Sequence, residues 1–314
     1  MDLSQFAFFK GRVVSYPDAK VGLLTHTLNY GTGVFGGIRG YWNEEERQLF
    51  VFRPSDHFHR FLQSAKLLSM DLSLSGDDLS RAVLEVLRAE DYRCDCYIRP
   101  LAYFSDEVIV SQSMELHPDI SIVAVPSTLE RREEGLHLAI SPWRRTDDNM
   151  IPARGKIAGG YVNSFLAKID SVRGGFDDAL LLNADGHVAE GCVTNFFLVR
   201  NGVVCTPAVT DNILEGITRR TILTLLREDL RLEVQERSID RSEVYLAEEA
   251  FLCGTATQVA AVTWVDHRPI GTGNPGRITS ALIDLYERVV RGRVPKYLEF
   301  CMPVYKEKEA ARPR

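Results

Sequence analysis

The stretch PSTLERREEG, running from Pro126 to Gly135, limits most strongly how this chain can fold. It is charged, bounded by proline and glycine, and carries no apolar period, so neither a helix stripe nor a strand face can run through it. Apolar patterning lies on both sides. That predicts residues 1–126 as a small N-terminal domain, 127–135 as an interdomain linker, and 136–314 as a larger C-terminal domain. A chain of 314 residues is long enough for two domains with separate cores.

Before the linker, short strands alternate with two helical stretches. QFAFFKGRVVSY reads as a hairpin turning at Lys10–Gly11, and GGIRGYW and RQLFVFR as strands joined through the charged turn 43–47. A helix is expected from Ser55 to Met70, apolar at Phe58, Phe61, Leu62, Ala65 and Leu68. A second is expected from Asp77 to Glu90, apolar at Leu79, Ala82, Val83, Val86 and Leu87. CYIRPLAYF and ISIVAVP read as strands.

After the linker, LHLAISPW is a strand and YVNSFLAKIDSVR a helix with Val162, Phe165, Leu166 and Ile169 on its apolar side. DALLLNADGHVAEG, NFFLVRNGVVCTP and AFLCGTATQVAAVTWVDHRPI supply β-structure with Asp-Gly and Asn-Gly turns. GITRRTILTLLRE and DRSEVYLAE read as helices, the second opened by a capping box of Asp240 and Glu243. No internal repeat or low-complexity segment is present, and the last ten or so residues are expected to fray. The pattern is that of an α+β or mixed α/β protein in two domains.

Composition excludes some functions. The chain is 45% hydrophobic and 25% charged, as a soluble globular protein is, and its net charge of −6 argues against a nucleic-acid face. No apolar run reaches the roughly 18 residues of a membrane span, and MDLSQFAFFKGR lacks the basic and apolar regions of a secretory leader. The six cysteines are scattered without a C-x-x-C pair, and the seven histidines show no zinc spacing. A cytoplasmic protein with reduced thiols, no bound metal and no membrane or nucleic-acid partner is expected.

Lys156 draws attention first. Eight lysines stand against twenty-nine arginines, and this one lies in IPARGKIAGGYVNS among glycines and apolar residues, where a strand meets a helix. Lysine sheds its proton when desolvated, whereas arginine keeps its own. An amine so placed is a nucleophile toward aldehydes; the alternative is a loop lysine reaching solvent. Glu190 follows an Asp-Gly turn in the apolar strand HVAEGCVTNFFLV, where a carboxylate needs a partner. A protonated pyridine nitrogen would serve, as would one of the many arginines.

Three places suit a phosphate: the helix start EGITRR with Gly216, Ile217 and Thr218, the turn GTAT from Gly254 to Thr257, and Arg60 off the apolar face of its helix. Each has a simpler reading as a cap or a solvated side chain. Tyr97 and Arg99 share one strand face and can present a hydroxyl and a guanidinium to one pocket, and Tyr30 precedes a glycine-punctuated turn that could line it.

Taken in order, THTLNYGTGVFGGIRGY, DHFHRFLQSAKLL, YIRP, IPARGKIAGGYVNS, DGHVAEGCVTNFFLV, DNILEGITRRT and FLCGTATQVAAV resemble the class IV aminotransferases of PLP fold type IV, and most of all the branched-chain amino acid aminotransferases. The resemblance covers residues 5–275 or so. It implies a small α/β N-terminal domain, a larger pseudo-barrel C-terminal domain, and pyridoxal 5'-phosphate (PLP) between them in a homodimer or higher homo-oligomer. It implies that Lys156 forms the internal aldimine, Tyr161 bonds the cofactor 3'-oxygen, and Glu190 binds the ring nitrogen. Arg60, Ile217, Thr218 and Thr255 would hold the phosphate. Tyr30, Arg39, Tyr97, Arg99, Thr255 and Ala256 would shape the substrate pocket. The implied reaction moves the amino group of leucine, isoleucine or valine to 2-oxoglutarate, with amino acids and keto acids as the partners.

Two departures bear on substrate range. Gly36 stands where the family has a glutamate in FEGIR, and Val193 and Thr194 stand in a stretch the family writes close to EGSGEN. A D-amino acid aminotransferase, an R-selective amine transaminase or an aminodeoxychorismate lyase shares the fold, and an inert PLP- or anion-binding protein is the alternative of another class. The loop SPWRRTDDNMIP, with Trp143, has no assigned role from its pattern.

Overall fold

The computed structural model describes residues 4–109, 115–127 and 132–305. Residues 128–131 of the expected linker, and the chain end after 305, lie outside the described residues. The chain packs as two compact units. One gathers Met1–Thr128, Gly155–Gly159 and Arg288–Arg314, the other Leu129–Arg154 and Gly160–Glu287. The chain passes between the units at Thr128–Leu129, among other places. The others have a pairing cause: Phe35 N–H donates to the Lys156 carbonyl and Cys301–Pro303 pairs with Gln48–Phe52, so both short segments count with the first unit.

In the first unit an antiparallel sheet of eight strands runs in the order Cys301–Pro303, Gln48–Phe52, Ile38–Asn43, Cys96–Phe104, Pro118–Pro126, Phe6–Phe9, Arg12–Ser15, with Gly33–Phe35 beside Cys96–Phe104. The hairpin turns at Lys10–Gly11, both with positive φ, as a two-residue turn between right-twisted strands requires. Helix Pro54–Leu67 starts at its proline, which fixes φ where no N–H is needed. Helix Gly76–Glu90 starts from a capping box of Ser75 and Asp78. Ile38, Leu49, Ile98, Ile122, Phe58, Leu79 and Leu87 are fully buried in this unit. Glu90, at the end of its helix, accepts from Ser4 Oγ and from the N–H groups of Gln5 and Phe6, which ties down the first strand.

The second unit holds a nine-stranded sheet in the order Val188–Gly191, Asp178–Leu182, Leu136–Ile140, Gln258–Val265, Glu249–Gly254, Asn195–Arg200, Val203–Thr206, Val234–Glu236, with Arg268–Pro269 beside Gln258–Val265. Leu136–Ile140 is parallel to both of its neighbours, and Val203–Thr206 is parallel to Val234–Glu236. Asn201 and Gly202 take positive φ at a hairpin turn, as the Asn-Gly signal predicts. The core gathers Leu138, Leu180, Val188, Phe196, Leu198, Leu252 and Val262.

Two local expectations are corrected. The helix after Asp240 is only Arg241–Val244 and has no side-chain cap: the Asp240 carboxylate lies by His187, and the Glu243 carboxylate is taken by Arg237 and Arg200. Helix Tyr161–Arg173 buries Ser164, Ala167 and Ser171 rather than its large apolar side, leaving Val162 62% and Phe165 61% exposed. The small side chains let the helix lie close to the sheet, where Ala167 packs with Ala179, Leu181 and Cys192.

Candidate functional site

In the first unit, Lys156 is fixed by its backbone on three sides. Its N–H donates to Ser64 Oγ (3.1 Å), and its carbonyl accepts from Phe35 N–H (3.0 Å). Ile157 bridges to Val34, and Gly159 N–H donates to the Gly31 carbonyl (3.0 Å). A Cβ on Gly31 would lie 3.0 Å from Gly159 Cα, so the bare backbones are what allow this approach. The side chain is half-buried, with Nζ 5.1 Å from the centre of the Phe35 ring.

Ser64 also donates to the Arg60 carbonyl (2.9 Å), so one buried hydroxyl links the two residues that the sequence singles out on this unit. Arg60 is 8% exposed. It is therefore a core-facing arginine, not a solvated one, although it lies off the apolar side of its helix.

Tyr97 and Arg99 do share a face: Arg99 donates to Tyr97 Oη (3.1 Å) and lies 4.7 Å from the centre of the Phe35 ring. Phe35 thus has cationic side chains near it from both Lys156 and Arg99. The Phe35–Gly36–Gly37 backbone passes close to this strand. A Cβ on Gly36 would meet the Pro100 ring at 2.6 Å, and one on Gly37 would meet Tyr97 Oη at 2.1 Å. Tyr30 is partly exposed, bonds the Ile109 carbonyl through its hydroxyl, and stacks near His26. Arg39, expected at the pocket, is 2% exposed, donates to the Ser127 carbonyl (2.9 Å) and lies over Tyr41. It braces the interior of the unit and offers no open surface.

In the second unit, Glu190 is the centre. A bulge between Val188 and Glu190 shifts the register against Asp178–Leu182 and re-aims the side chain. Its Oε2 accepts from Asn195 Nδ2 (3.0 Å) and Leu214 N–H (3.1 Å), and its Oε1 lies 3.0 Å from Arg145 Nε. The arginine partner that the sequence left open is therefore present, and it is Arg145. Close behind lies Cys253, whose thiol burial pushes up to about 12, with Arg219 working against that shift and Glu190 adding to it. A thiol so shifted stays protonated at neutral pH and is no nucleophile.

Helix Ile217–Glu228 begins after Gly216, whose extended conformation carries no side-chain cap. A Cβ on Gly216 would lie 2.1 Å from Asn195 Oδ1, so glycine there keeps the amide in place beside Glu190. Ile217 and Thr218 are buried at this helix start, where N–H groups and the helix dipole favour an anion. Thr255 is half-buried just past Glu249–Gly254, and Tyr161 is the first residue of its helix. Ala256 is exposed and lines a cavity of about 610 Å³ with Thr257, Lys168 and Asp178. Glu190, Ile217, Thr218 and Thr255 do not line that cavity.

Sequence reasoning missed Ser64, Arg145 and Asn195. Asn195 follows the VAEG strand within one motif, and an amide five residues past a buried carboxylate was a usable signal. Ser64 and Arg145 had none, since Lys156 and Glu190, the groups they hold, lie far from them along the chain. Among the described residues no group of three His, Cys, Asp or Glu side chains could hold a metal, and no helix is long and apolar enough to cross a membrane.

Residues 33–265 match the amino-transferase class IV family. A probable branched-chain-amino-acid aminotransferase of Aquifex aeolicus (strain VF5) is 44% identical over 301 residues, covering 96% of this chain and 97% of the relative. The branched-chain-amino-acid aminotransferase of Pseudomonas aeruginosa is 35% identical over 297 residues, 93% of this chain and 95% of the relative. The branched-chain aminotransferase of Thermoproteus uzoniensis, crystallised with norvaline, superposes with a TM-score of 0.92 at 41% identity, over 96% of this chain and all (100%) of that one. The PLP form of the branched-chain amino acid aminotransferase from Thermobaculum terrenum gives 0.93 at 38% identity, over 98% and 100%. Aligned along nearly its whole length with such relatives, the chain belongs to the class IV aminotransferases, with their mixed helix-and-sheet fold and their PLP cofactor.

Proposed function

We propose that this aminotransferase moves the amino group of leucine, isoleucine or valine to 2-oxoglutarate. The observation that carries the reading is the 44% identity, along 96% of the chain, to a probable branched-chain-amino-acid aminotransferase. The residues present fit PLP. A buried carboxylate is held in place at Glu190, an uncapped helix start lies at Ile217–Thr218, and the buried Thr194 hydroxyl has no partner among the described residues. Lys156 is an amine on a pinned backbone.

In this reading the residues divide the work. Lys156 would hold the cofactor through its amine, and its Nζ would take the proton from the substrate Cα. Glu190 would partner the ring nitrogen and Tyr161 the 3'-oxygen. Arg60, Ile217, Thr218 and Thr255 would hold the phosphate, offering a guanidinium, helix N–H groups and hydroxyls. Tyr30, Tyr97, Arg99, Thr255 and Ala256 contact the amino acid, and Arg39 acts through the wall it braces. Bound PLP supplies an electron sink for the charge left at Cα.

The two units correspond in this reading to the small and the large PLP-binding domain, and the enzyme works in the cytoplasm as a homodimer. The outward stripe of Val162, Phe165 and Val172 on one helix is what supports a second copy.

The test is direct. PLP-loaded protein reduced with borohydride should carry its label on Lys156, and Lys156→Ala should lose both the visible absorbance and turnover of L-leucine with 2-oxoglutarate. A label on another residue refutes the role of Lys156. Normal cofactor loading with turnover of other amines but not of branched-chain amino acids refutes the substrate class.

A further inference from the structure

Arg145 sits in the irregular stretch between strand Leu136–Ile140 and Lys156, and it is held at both ends. Its backbone N–H donates to the Leu182 carbonyl (2.8 Å), and its Nε donates to the Asn212 carbonyl (3.1 Å) while lying 3.0 Å from Glu190 Oε1. Asn212 takes a left-handed conformation, φ 62°, and its amide donates to Asp147 Oδ1 (2.8 Å), so the carbonyl that orients the arginine is itself fixed. The paired side chains are 14% and 7% exposed. A buried carboxylate that loses its cationic partner keeps its desolvation cost without the compensating charge.

We infer that Arg145 is a positioning residue for Glu190. It holds the carboxylate aimed before PLP arrives and would share it with the ring nitrogen afterwards. This rests on the reading of Glu190 as the ring partner. Two cations that stabilise one carboxylate are each worth less in the presence of the other, so guanidinium and ring nitrogen are negatively coupled. Losing Arg145 must therefore harm the cofactor-free protein more than the loaded one. A brace with no such link would harm both equally.

The experiment compares melting of cofactor-free and PLP-loaded protein, and PLP titration followed by visible absorbance, for wild type, Arg145→Met, Arg145→Lys, Glu190→Gln and the double variant Arg145→Met/Glu190→Gln. In Arg145→Met the gap between loaded and free melting temperatures should widen, and PLP should bind about 10-fold more tightly, a coupling usual for groups in contact. Arg145→Lys should restore the wild-type gap, and in the Glu190→Gln background Arg145→Met should leave the gap unchanged. Should Arg145→Met not fold, the double variant, which buries neither charge, should fold, and the lysine variant carries the comparison.

Equal losses in both forms, or weaker PLP binding in Arg145→Met, overturn the inference while leaving Glu190 in its role. A Glu190→Gln protein with unaltered PLP affinity and absorbance overturns the ring-nitrogen assignment itself.

Discussion

Asn195 is the residue on which the geometry of Glu190 most plainly depends, and its removal has a calculable cost. Its Nδ2 donates to Glu190 Oε2 (3.0 Å) and to the Leu214 carbonyl (2.9 Å), and the residue is 5% exposed. A hydrogen bond to a charged group contributes about 1.5–3 kcal/mol and a neutral one about 0.5–1.5 kcal/mol. Asn195→Ala should therefore cost about 2–4 kcal/mol, which for a domain of this size lowers the melting temperature by roughly 5–15 °C.

Asn195→Asp separates loss of a donor from loss of volume. It sets a second carboxylate beside Glu190, so at pH 8 it should destabilise more than alanine does, and it should recover as pH falls and a proton is shared between the pair. The assay is thermal unfolding of the cofactor-free protein across pH. An alanine variant melting within about 2 °C of wild type, well short of the shift expected for one charged hydrogen bond, would show that the amide does not hold the carboxylate.

Other perturbations bear on other parts of the molecule. Gly37→Ala drives a methyl to 2.1 Å from Tyr97 Oη, so the tyrosine and the Arg99 bonded to it must shift. KM for L-leucine should rise about tenfold with a stability cost of about 1–3 kcal/mol, and unchanged kinetics would remove Tyr97 from the substrate wall. The Arg237 hydrogen bond holds the Glu243 carboxyl below its ordinary 4.5, against burial and with help from Arg200. A depressed folded pKa means stability present above pH 4.5 and lost as pH falls through the folded value, so Glu243→Gln should flatten the acid limb of a pH–stability curve below pH 4.5. Phe165→Asp should convert a dimer to monomer by light scattering without lowering the melting temperature of the monomer, because this side chain is 61% exposed in the single chain. A melting loss with the dimer intact would mean that the ring packs within its own chain.

The parts of the fold carried by short-range rules were legible in the sequence. The Lys10–Gly11 and Asn201–Gly202 turns follow from which residues tolerate positive φ, and the helix at Gly76–Glu90 from its apolar spacing, with Ser75 at its cap. Lys156 and Glu190 each stood out in the sequence because a lone ionisable group among apolar neighbours requires an explanation. What answers that requirement was not legible. Arg145 lies 45 positions before Glu190 in the chain, and Leu214 lies 24 after it. Asp240 fails as a capping box for the same reason: local spacing offered Glu243 to the helix, but Arg237 and Arg200 reach it by folding. Charge pairs are decided by tertiary approach, and no periodicity records them.

The helix Tyr161–Arg173 shows a subtler limit. Its sequence contains two stripes at helical spacing, a large one of Val162, Phe165, Leu166 and Ile169 and a small one of Ser164, Ala167 and Ser171. Hydrophobic periodicity favours burial of the first, and the fold buries the second. The decision is geometric. The helix lies against Asp178–Leu182, where the small Ala167 packs with Ala179 and Leu181. Choosing closeness to the sheet leaves Val162, Phe165 and Val172 exposed, at a cost of about 25 cal/mol for each Å² of apolar surface left in water. A chain that exposes such side chains on a helix has that area available for a surface beyond itself, and a second copy presenting the same side chains in a twofold arrangement would cover both at once.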